Sequence, residues 1–443
     1  MLMAFGITTV NAGTVISTDF KKAGNRIYLV RHTPRENHMP DTAQLKDNFG
    51  FVSENIERGN ILAAWSVGFG GVAEGFAKMA FGNRIGAEVE MDEAELFGYA
   101  YGSILVESAV ELTHPAAGLL GMPAADGALT VNGVKMPLDA LYKANTEKFA
   151  AVYPDKGENH AGVMTSEPAP RTFAYRGEAV EHPLVYIPVF PGTNCDYDTA
   201  KAFRKAGAEV EMSVLCNLGG DDILRSIREM KEHIRRAHIF VLSGGFSSGD
   251  EPDGSAKFIV NVLNNKDIRD EIHALLDRGG LILGICNGFQ ALVKSGLLPY
   301  GRLGMVTKDS PTLFRNDINR HISQIVSTRV STLNSPWLLG DIHSIAVSHG
   351  EGKFVVSEEL AGELFANGQV AFQYVDPEGR ATAEAPYNPN GSSYAIEGLV
   401  SRDGQILGKM GHTERYEKNL FKNIAGEKEQ SLFRNAVDYF RKN

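Results

Sequence analysis

The second half of the chain alternates short apolar runs with longer segments in which apolar positions recur every three to four residues. Short continuous apolar runs are typical of strands buried on both faces, and the periodic segments are typical of amphipathic helices. This βαβ alternation predicts a mostly parallel, doubly wound α/β sheet. The predicted strands span 184–190, 209–215, 239–242 and 281–285, and the predicted helices span 198–206, 221–237, 256–278 and 289–293.

The hydrophobic and polar pattern of the remaining residues predicts how the chain is divided into domains. Beyond Leu313 short strands replace the helices, which predicts an antiparallel extension closed by a helix at 427–441. Residues 1–150 mix strands at 26–30 and 60–67 with helices near 72–81 and 92–101, so we expect a smaller α+β domain there. Residues 151–182 are polar and carry three prolines, which predicts a linker before the domain 183–443.

Composition narrows the class of protein. The 443 residues suit two or three domains, and 43% hydrophobic with 22% charged residues is typical of a globular protein in water. The formal net charge of -10 disfavours nucleic-acid binding, and the apolar runs are too short to span a membrane. Three cysteines do not form a disulfide framework, so we expect a reducing, cytoplasmic location.

Cys286 is the strongest candidate for chemistry. The apolar run Leu281–Ile285 leads directly into it, and a helix is predicted from Phe289, three residues further on. A turn of this kind places a thiol at the carboxyl end of a strand and at a helix N-terminus, which favours the thiolate. Gly284 and Gly288 allow a sharp bend and close approach of a substrate.

A base and an oxyanion site complete the hypothesis. His412 is followed two residues later by Glu414, and in an extended segment both side chains point the same way. We therefore predict Cys286 as nucleophile, His412 as base and then acid, and Glu414 as the residue that orients the imidazole. The predicted oxyanion donors are the backbone N–H groups of Gly245 or Phe246, after the strand at 239–242, and of Asn287.

These residues together resemble the triad-type, class I glutamine amidotransferases. Gly284-Ile285-Cys286-Asn287-Gly288-Phe289-Gln290 resembles the G-x-C-x-G-x-Q turn of that class, and His412-x-Glu414 resembles its His-x-Glu pair. Further motifs resemble the amidotransferase domain of the phosphoribosylformylglycinamidine synthase family. They are Pro191-Gly192-Thr193-Asn194-Cys195-Asp196, Gly244-Gly245-Phe246-Ser247-x-Gly249-Asp250, Phe314-Arg315-Asn316, Ser348-His349-Gly350-Glu351-Gly352 and Asn388-Pro389-Asn390-Gly391-Ser392.

The resemblance implies that ammonia is drawn from glutamine for the ATP-dependent amidination of formylglycinamide ribonucleotide. It implies no cofactor in this chain, with ATP and magnesium bound by the full-length enzyme. Residues 1–150 resemble the C-terminal subdomain of an aminoimidazole-ribonucleotide-synthetase-like repeat. We expect a structural role for them, because Trp65-Ser66 stand where related subdomains have His-Asp. The first residues resemble the interior of a domain, and the expected partner is a synthetase part that precedes them or forms a separate subunit.

Other interpretations remain open at this level. Gln290, Arg315 and His349 are candidates for substrate binding, although structural roles are also common for such side chains. Cys195 and Cys216 are expected to be inert, and no metal site is predicted. A turn of this kind also occurs in cysteine peptidases, and an isolated fragment can act as a scaffold. Gly411 precedes His412 where the family often has proline, which leaves this loop less constrained.

Overall fold

The computed structural model describes residues 5–154, 157, 162–165, 171–248, 250, 255–422 and 424–441. The chain divides into two compact units. The first is Met1–Tyr153 with Asn419–Asn423, and the second is Pro154–Lys418 with Ile424–Asn443.

The first unit is built on a seven-stranded sheet of order β2-β4-β1-β5-β3-β6-β7. Its strands are β1 (Arg26–Val30), β2 (Ile61–Ser66), β3 (Gly86–Val89), β4 (Ile104–Ser108), β5 (Ala117–Ala124), β6 (Ala128–Val131) and β7 (Val134–Pro137). Its helices are α1 (Thr42–Glu57), α2 (Gly71–Phe81), α3 (Glu93–Phe97) and α4 (Leu138–Glu147). β3 and β6 pair in parallel, and the other neighbouring strands pair antiparallel.

Both faces of this sheet are covered. Along β1, Ile27 and Leu29 belong to one apolar cluster and Tyr28 and Val30 to another, because successive side chains of a strand point to opposite faces. The first cluster includes the buried residues of α2, and the second includes Val52 of α1. This is the smaller α+β body that the pattern predicts.

The second unit contains a nine-stranded sheet of order β14-β13-β16-β17-β18-β11-β10-β8-β9. The strands are β8 (Leu184–Val189), β9 (Glu209–Val214), β10 (Ile239–Leu242), β11 (Leu281–Ile285), β12 (Thr312–Phe314), β13 (Ile322–Val330), β14 (Ile342–His349), β15 (Lys353–Val355), β16 (Val370–Tyr374), β17 (Ile396–Val400) and β18 (Ile406–Lys409). Strands β9, β8, β10, β11 and β18 pair in parallel, and β17, β16, β13 and β14 continue the sheet antiparallel. β12 and β15 form a separate two-stranded sheet.

The second unit also contains eight α-helices in the part of the chain that the structure describes. They are α5 (Asp196–Ala206), α6 (Gly220–Arg236), α7 (Lys257–Leu263), α8 (Lys266–Asp277), α9 (Asn287–Ser295), α10 (Leu297–Tyr300), α11 (Glu358–Ala366) and α12 (Leu432–Arg441). Strands β10 and β11 are buried at every residue, as the continuous apolar runs predict. The α/β fold class with an antiparallel extension is therefore confirmed.

Three predicted helices were wrong in extent. The helix predicted at 256–278 is two helices, because the first ends at Leu263 with Asn264 as its C-cap, and the Asn265 side chain then accepts the N–H of Asp267 as the N-cap of the second. The helix predicted at 427–441 begins only at Leu432, after a segment in which Glu427 accepts the N–H groups of residues 428 and 429. The helix predicted at 92–101 ends at Phe97, before Gly98.

Candidate active site

Cys286 lies at a strained turn between β11 and α9. Its backbone has φ 52° and ψ -106°, a conformation that a residue with a Cβ adopts only when the surrounding structure enforces it. The close packing of strand and helix enforces it here. A Cβ on Gly284 would lie 2.7 Å from Gly288 C, and a Cβ on Gly288 would lie 1.9 Å from Leu242 O. Both glycines are therefore required for this approach.

The Cys286 side chain opens into a cavity of about 760 Å³ at the carboxyl end of the parallel strands. The thiol donates to Ser348 O at 3.8 Å and is largely buried. The cavity lining contains most of the residues that the sequence predicts for the site. They are Gly245, Phe246, Gln290, Arg315 and His349, together with Asp250, Ser255, His321, Ser348, Glu351 and others.

His412 and Glu414, the predicted base and its orienting carboxylate, lie in contact with each other. His412 Nδ1 is 2.7 Å from Glu414 Oε1, and both residues are buried. The backbone is not extended as the spacing argument assumed, because Thr413–Arg415 forms a 3-10 turn that still brings the two side chains together. Burial alone would lower the pKa of His412, but Glu414 and Cys286 outweigh it and hold the pKa well above its ordinary value.

A second thiol shares this space. Cys195 Sγ lies 3.9 Å from His412 Nδ1 and 3.3 Å from Asn194 Oδ1. The sequence assigned Cys195 no role, and nothing local to it indicates this position. Donor atoms of Cys195, His412 and Glu414 all lie within 4.8 Å of one another, so these three residues could also hold a metal ion.

A short backbone pairing positions the loop after β10. Thr193 and Gly245 form an isolated antiparallel bridge, in which Asn194 N–H donates to Gly244 O and Phe246 N–H donates to Gly192 O at 3.1 Å. The Phe246 amide, predicted as an oxyanion donor, is thus already engaged. The backbone N–H groups of Gly245 and Asn287 donate no hydrogen bond to another backbone group in the described part of the chain, so both remain candidate oxyanion donors.

The Asn287 side chain ties the same loop to α9. Its Nδ2 donates to Asp250 Oδ2 at 3.0 Å and to Gln290 Oε1 at 2.9 Å, and its Oδ1 accepts the Ser247 N–H. Gln290 in turn donates to Glu351 O. Gln290 lines the cavity, but both ends of its amide group are used in contacts with the protein.

His349 has a defined tautomer. Asn316 Nδ2 donates to the carbonyls of Arg320 and His349, so Asn316 Oδ1 is an acceptor and receives His349 Nδ1–H at 3.1 Å. Burial, with smaller contributions from His412 and His321, lowers the pKa of His349 to about 3. The neutral ring therefore presents Nε2 as a lone-pair acceptor, and this buried atom has no partner among the described residues.

Comparison with known proteins shows the family to which the second part of the chain belongs. A family model described as a CobB/CobQ-like glutamine amidotransferase domain matches residues 182–440. The phosphoribosylformylglycinamidine synthase subunit PurQ of Methanococcus maripaludis is 33% identical over 279 residues, which cover 59% of this chain and 99% of that protein. The subunit PurQ of Salinibacter ruber is 31% identical over 257 residues, covering 57% and 95%. The solved structure of PurLQS from Thermotoga maritima is 26% identical with a TM-score of 0.42, covering 58% of this chain and 99% of that chain.

The chain therefore belongs to the glutamine amidotransferase family and, within it, to the family of the phosphoribosylformylglycinamidine synthase subunit PurQ. It is an amidotransferase enzyme, as its resemblance in sequence indicated. Among the described residues, the structure contains no helix that is both long and apolar enough to cross a membrane.

Proposed function

We propose that this chain hydrolyses the side-chain amide of glutamine with Cys286 as nucleophile. The Cys286 sulfur attacks the amide carbon, and His412 donates a proton to the departing amine, which leaves ammonia and a glutamyl thioester. A water molecule then attacks the thioester while His412 accepts its proton, which releases glutamate and restores the thiol. Glu414 holds the imidazole in one orientation throughout.

The observation that carries this proposal is that Cys286 lines the cavity, while Cys195 lies near the His412 nitrogen that Glu414 already occupies. Glu414 occupies Nδ1, which leaves Nε2 as the nitrogen that can exchange a proton with a nucleophile. Cys195 lies near Nδ1 and does not line the cavity at the strand ends, whereas Cys286 lines it. The raised pKa of His412 favours an imidazolium, which supports a charged pair with the Cys286 sulfur.

Two further steps of the reaction have candidate residues. The Gly245 and Asn287 amides are the proposed oxyanion donors, and Phe246 joins them only if its bond to Gly192 O breaks. His349 Nε2 can accept an N–H of the bound glutamine, since this buried acceptor lines the cavity. Arg315, also in the lining, is the candidate for the substrate carboxylate, and Gln290 supports the loop at Glu351.

The ammonia is proposed to serve the ATP-dependent amidination of formylglycinamide ribonucleotide by a synthetase part. The PurQ relatives are subunits of phosphoribosylformylglycinamidine synthase, and they match only the second half of this chain. We assign ATP and magnesium to that synthetase part. The first unit is proposed to be a structural subdomain of the synthetase-like kind, joined by residues 151–182 to the amidotransferase domain 183–443.

The test is glutamate release from glutamine by the wild-type chain, Cys286→Ala and Cys216→Ala. We expect Cys286→Ala to abolish release and Cys216→Ala, at a partly exposed thiol, to retain it. A glutamine analogue with a leaving group at the γ-carbon should label the Cys286 peptide alone. Full activity in Cys286→Ala, or cleavage of peptides in place of glutamine, would contradict the proposal.

A further inference from the structure

A buried ion pair lies directly behind the proposed base. Lys409, the last residue of β18, and Glu397 of β17 are both fully buried, and their Nζ and Oε1 atoms are 3.9 Å apart. Burying two charges costs several kcal/mol per ion, and such pairs are often no more stabilising than apolar side chains of the same volume. A contribution to the stability of the fold is therefore a weak explanation for the presence of this buried ion pair.

The contacts of Lys409 indicate an ammonium group. Its Nζ lies 2.8 Å from Thr413 Oγ1, 2.9 Å from Gln430 Oε1 and 3.9 Å from Glu397 Oε1. The first two contacts are hydrogen bonds, and the third is an ion-pair contact with a carboxylate, which favours the charged form of the lysine. The same nitrogen lies 5.0 Å from the centre of the Phe372 ring, on which a cation is also favoured.

The pair holds the turn that carries the catalytic side chains. Glu397 Oε1 accepts the Gly411 N–H at 2.6 Å, one residue before His412. Lys409 binds the hydroxyl of Thr413, which stands between His412 and Glu414. The N–H of His412 itself donates to Ala346 O at 2.8 Å. The turn is thus fixed from both sides, at a place where Gly411 leaves the backbone unconstrained.

The charges of Lys409 and Glu397 also interact with the proposed catalytic residues. Burial lowers the pKa of Lys409, while the carboxylates of Glu397 and Glu414 oppose that change. Burial likewise raises the pKa of Glu397, and Lys409 opposes it. Glu414 Oε2 is buried without a hydrogen-bond partner among the described residues, so a nearby cation is the group that can stabilise its charge.

We propose that Lys409 is a positioning residue for glutamine hydrolysis, with Glu397 as its counter-ion. The ammonium group fixes Thr413 and stabilises the ionised Glu414, so that His412 keeps the ring orientation and charge that proton transfer requires. This inference rests on the proposed function of Cys286, His412 and Glu414.

The experiment compares Lys409→Met, the double variant Lys409→Met/Glu397→Gln and the control Lys231→Met. The double variant removes both charges, so it avoids the unpaired buried carboxylate that can unfold the single variant. Lys231 pairs with Asp267 between α6 and α8 and is partly exposed, so its loss should change neither kcat nor KM. Active sites are counted by covalent labelling of Cys286, so that kcat refers to folded enzyme.

We expect the double variant to keep its KM for glutamine within about twofold while kcat falls about tenfold or more. In Lys409→Met the cation is lost while Glu397 stays, and loss of a cation raises the pKa of a nearby acid, so the acid limb of the kcat profile of this single variant should move to higher pH by about one unit. A double variant with the wild-type kcat per labelled site, or a folded Lys409→Met with the wild-type pH profile, would show that Lys409 has only a structural role. A wild-type chain that releases no glutamate would instead contradict the proposed function on which the inference depends.

Discussion

His412 Nδ1 and Glu414 Oε1 are 2.7 Å apart in a buried contact, although only one residue separates them and the backbone between them turns. This contact fixes which ring nitrogen carries a proton when His412 is neutral. Nδ1–H donates to the carboxylate, and Nε2 is left to act on Cys286 and the leaving group. The proposed chemistry depends on this tautomer.

Glu414→Gln should therefore lower kcat for glutamine by about 10²- to 10⁴-fold, because an amide can hold the ring in the wrong tautomer and cannot stabilise the imidazolium. Glu417→Gln is the matched control, since Glu417 forms an exposed ion pair with Lys201. Glutamate release at saturating glutamine measures both. Equal rates for Glu414→Gln and wild type would exclude Glu414 from the triad.

Cys195→Ala tests which of the two thiols beside His412 reacts. We expect it to retain glutamate release within about threefold, since removing one buried sulfur changes packing modestly. Cys286→Ser, which keeps the side-chain shape, should lose more than 10³-fold because a serine hydroxyl is a far weaker nucleophile at neutral pH. Mass spectrometry of the covalently labelled protein gives an independent reading. Labelling that vanishes in Cys195→Ala and persists in Cys286→Ser would reverse the assignment.

The parallel half of the fold follows from the sequence because its strands are buried on both faces. β10 and β11 have the predicted bounds, and the thiol turn follows β11 directly. α1 was not predicted, and its composition explains this. Two of its three buried residues, Asn48 and Asn55, are polar, so the apolar period of a helix is hidden. Asn48 instead donates to Arg31 O.

Only those residues of the candidate site that a pattern of neighbouring residues marks could be predicted from the sequence. Cys286 is marked by the strand before it, and His412 by Glu414 two residues away. Cys195 reaches His412 through the bridge between Thr193 and Gly245, a tertiary pairing that no local pattern shows. No sequence motif points to Lys409, because a lysine at the end of an apolar strand is usually at the surface. Its burial depends on Glu397, twelve residues earlier on the neighbouring strand.

Gly352→Ala should impair glutamine binding through His349. A Cβ on Gly352 would lie 2.3 Å from His349 Cε1, and this ring is held by Asn316. We expect the displaced ring to raise KM for glutamine about tenfold or more, through loss of the acceptor that His349 Nε2 offers. Gly362→Ala in α11 is the matched control, because it lies outside the cavity lining and no atom outside its own helix backbone lies within 4 Å of its Cβ position among the described residues. The ratio of the two KM values measures the effect, and similar values would remove His349 from the substrate pocket.

The low pKa of His349 also predicts how the free energy of unfolding changes with pH. Its pKa is about 3 in the folded protein, below the usual value of 6.5, so between these values the unfolded chain binds a proton that the folded chain does not. The stability present above pH 6.5 should thus be lost as the pH falls towards 3, with a contribution of about 1.4 kcal/mol per pH unit. His349→Asn should show a slope that is smaller by about one proton, whatever its stability at pH 7. Urea unfolding between pH 7 and pH 4 measures the slopes. Equal slopes for His349→Asn and the wild-type protein would mean that His349 is not held neutral by burial.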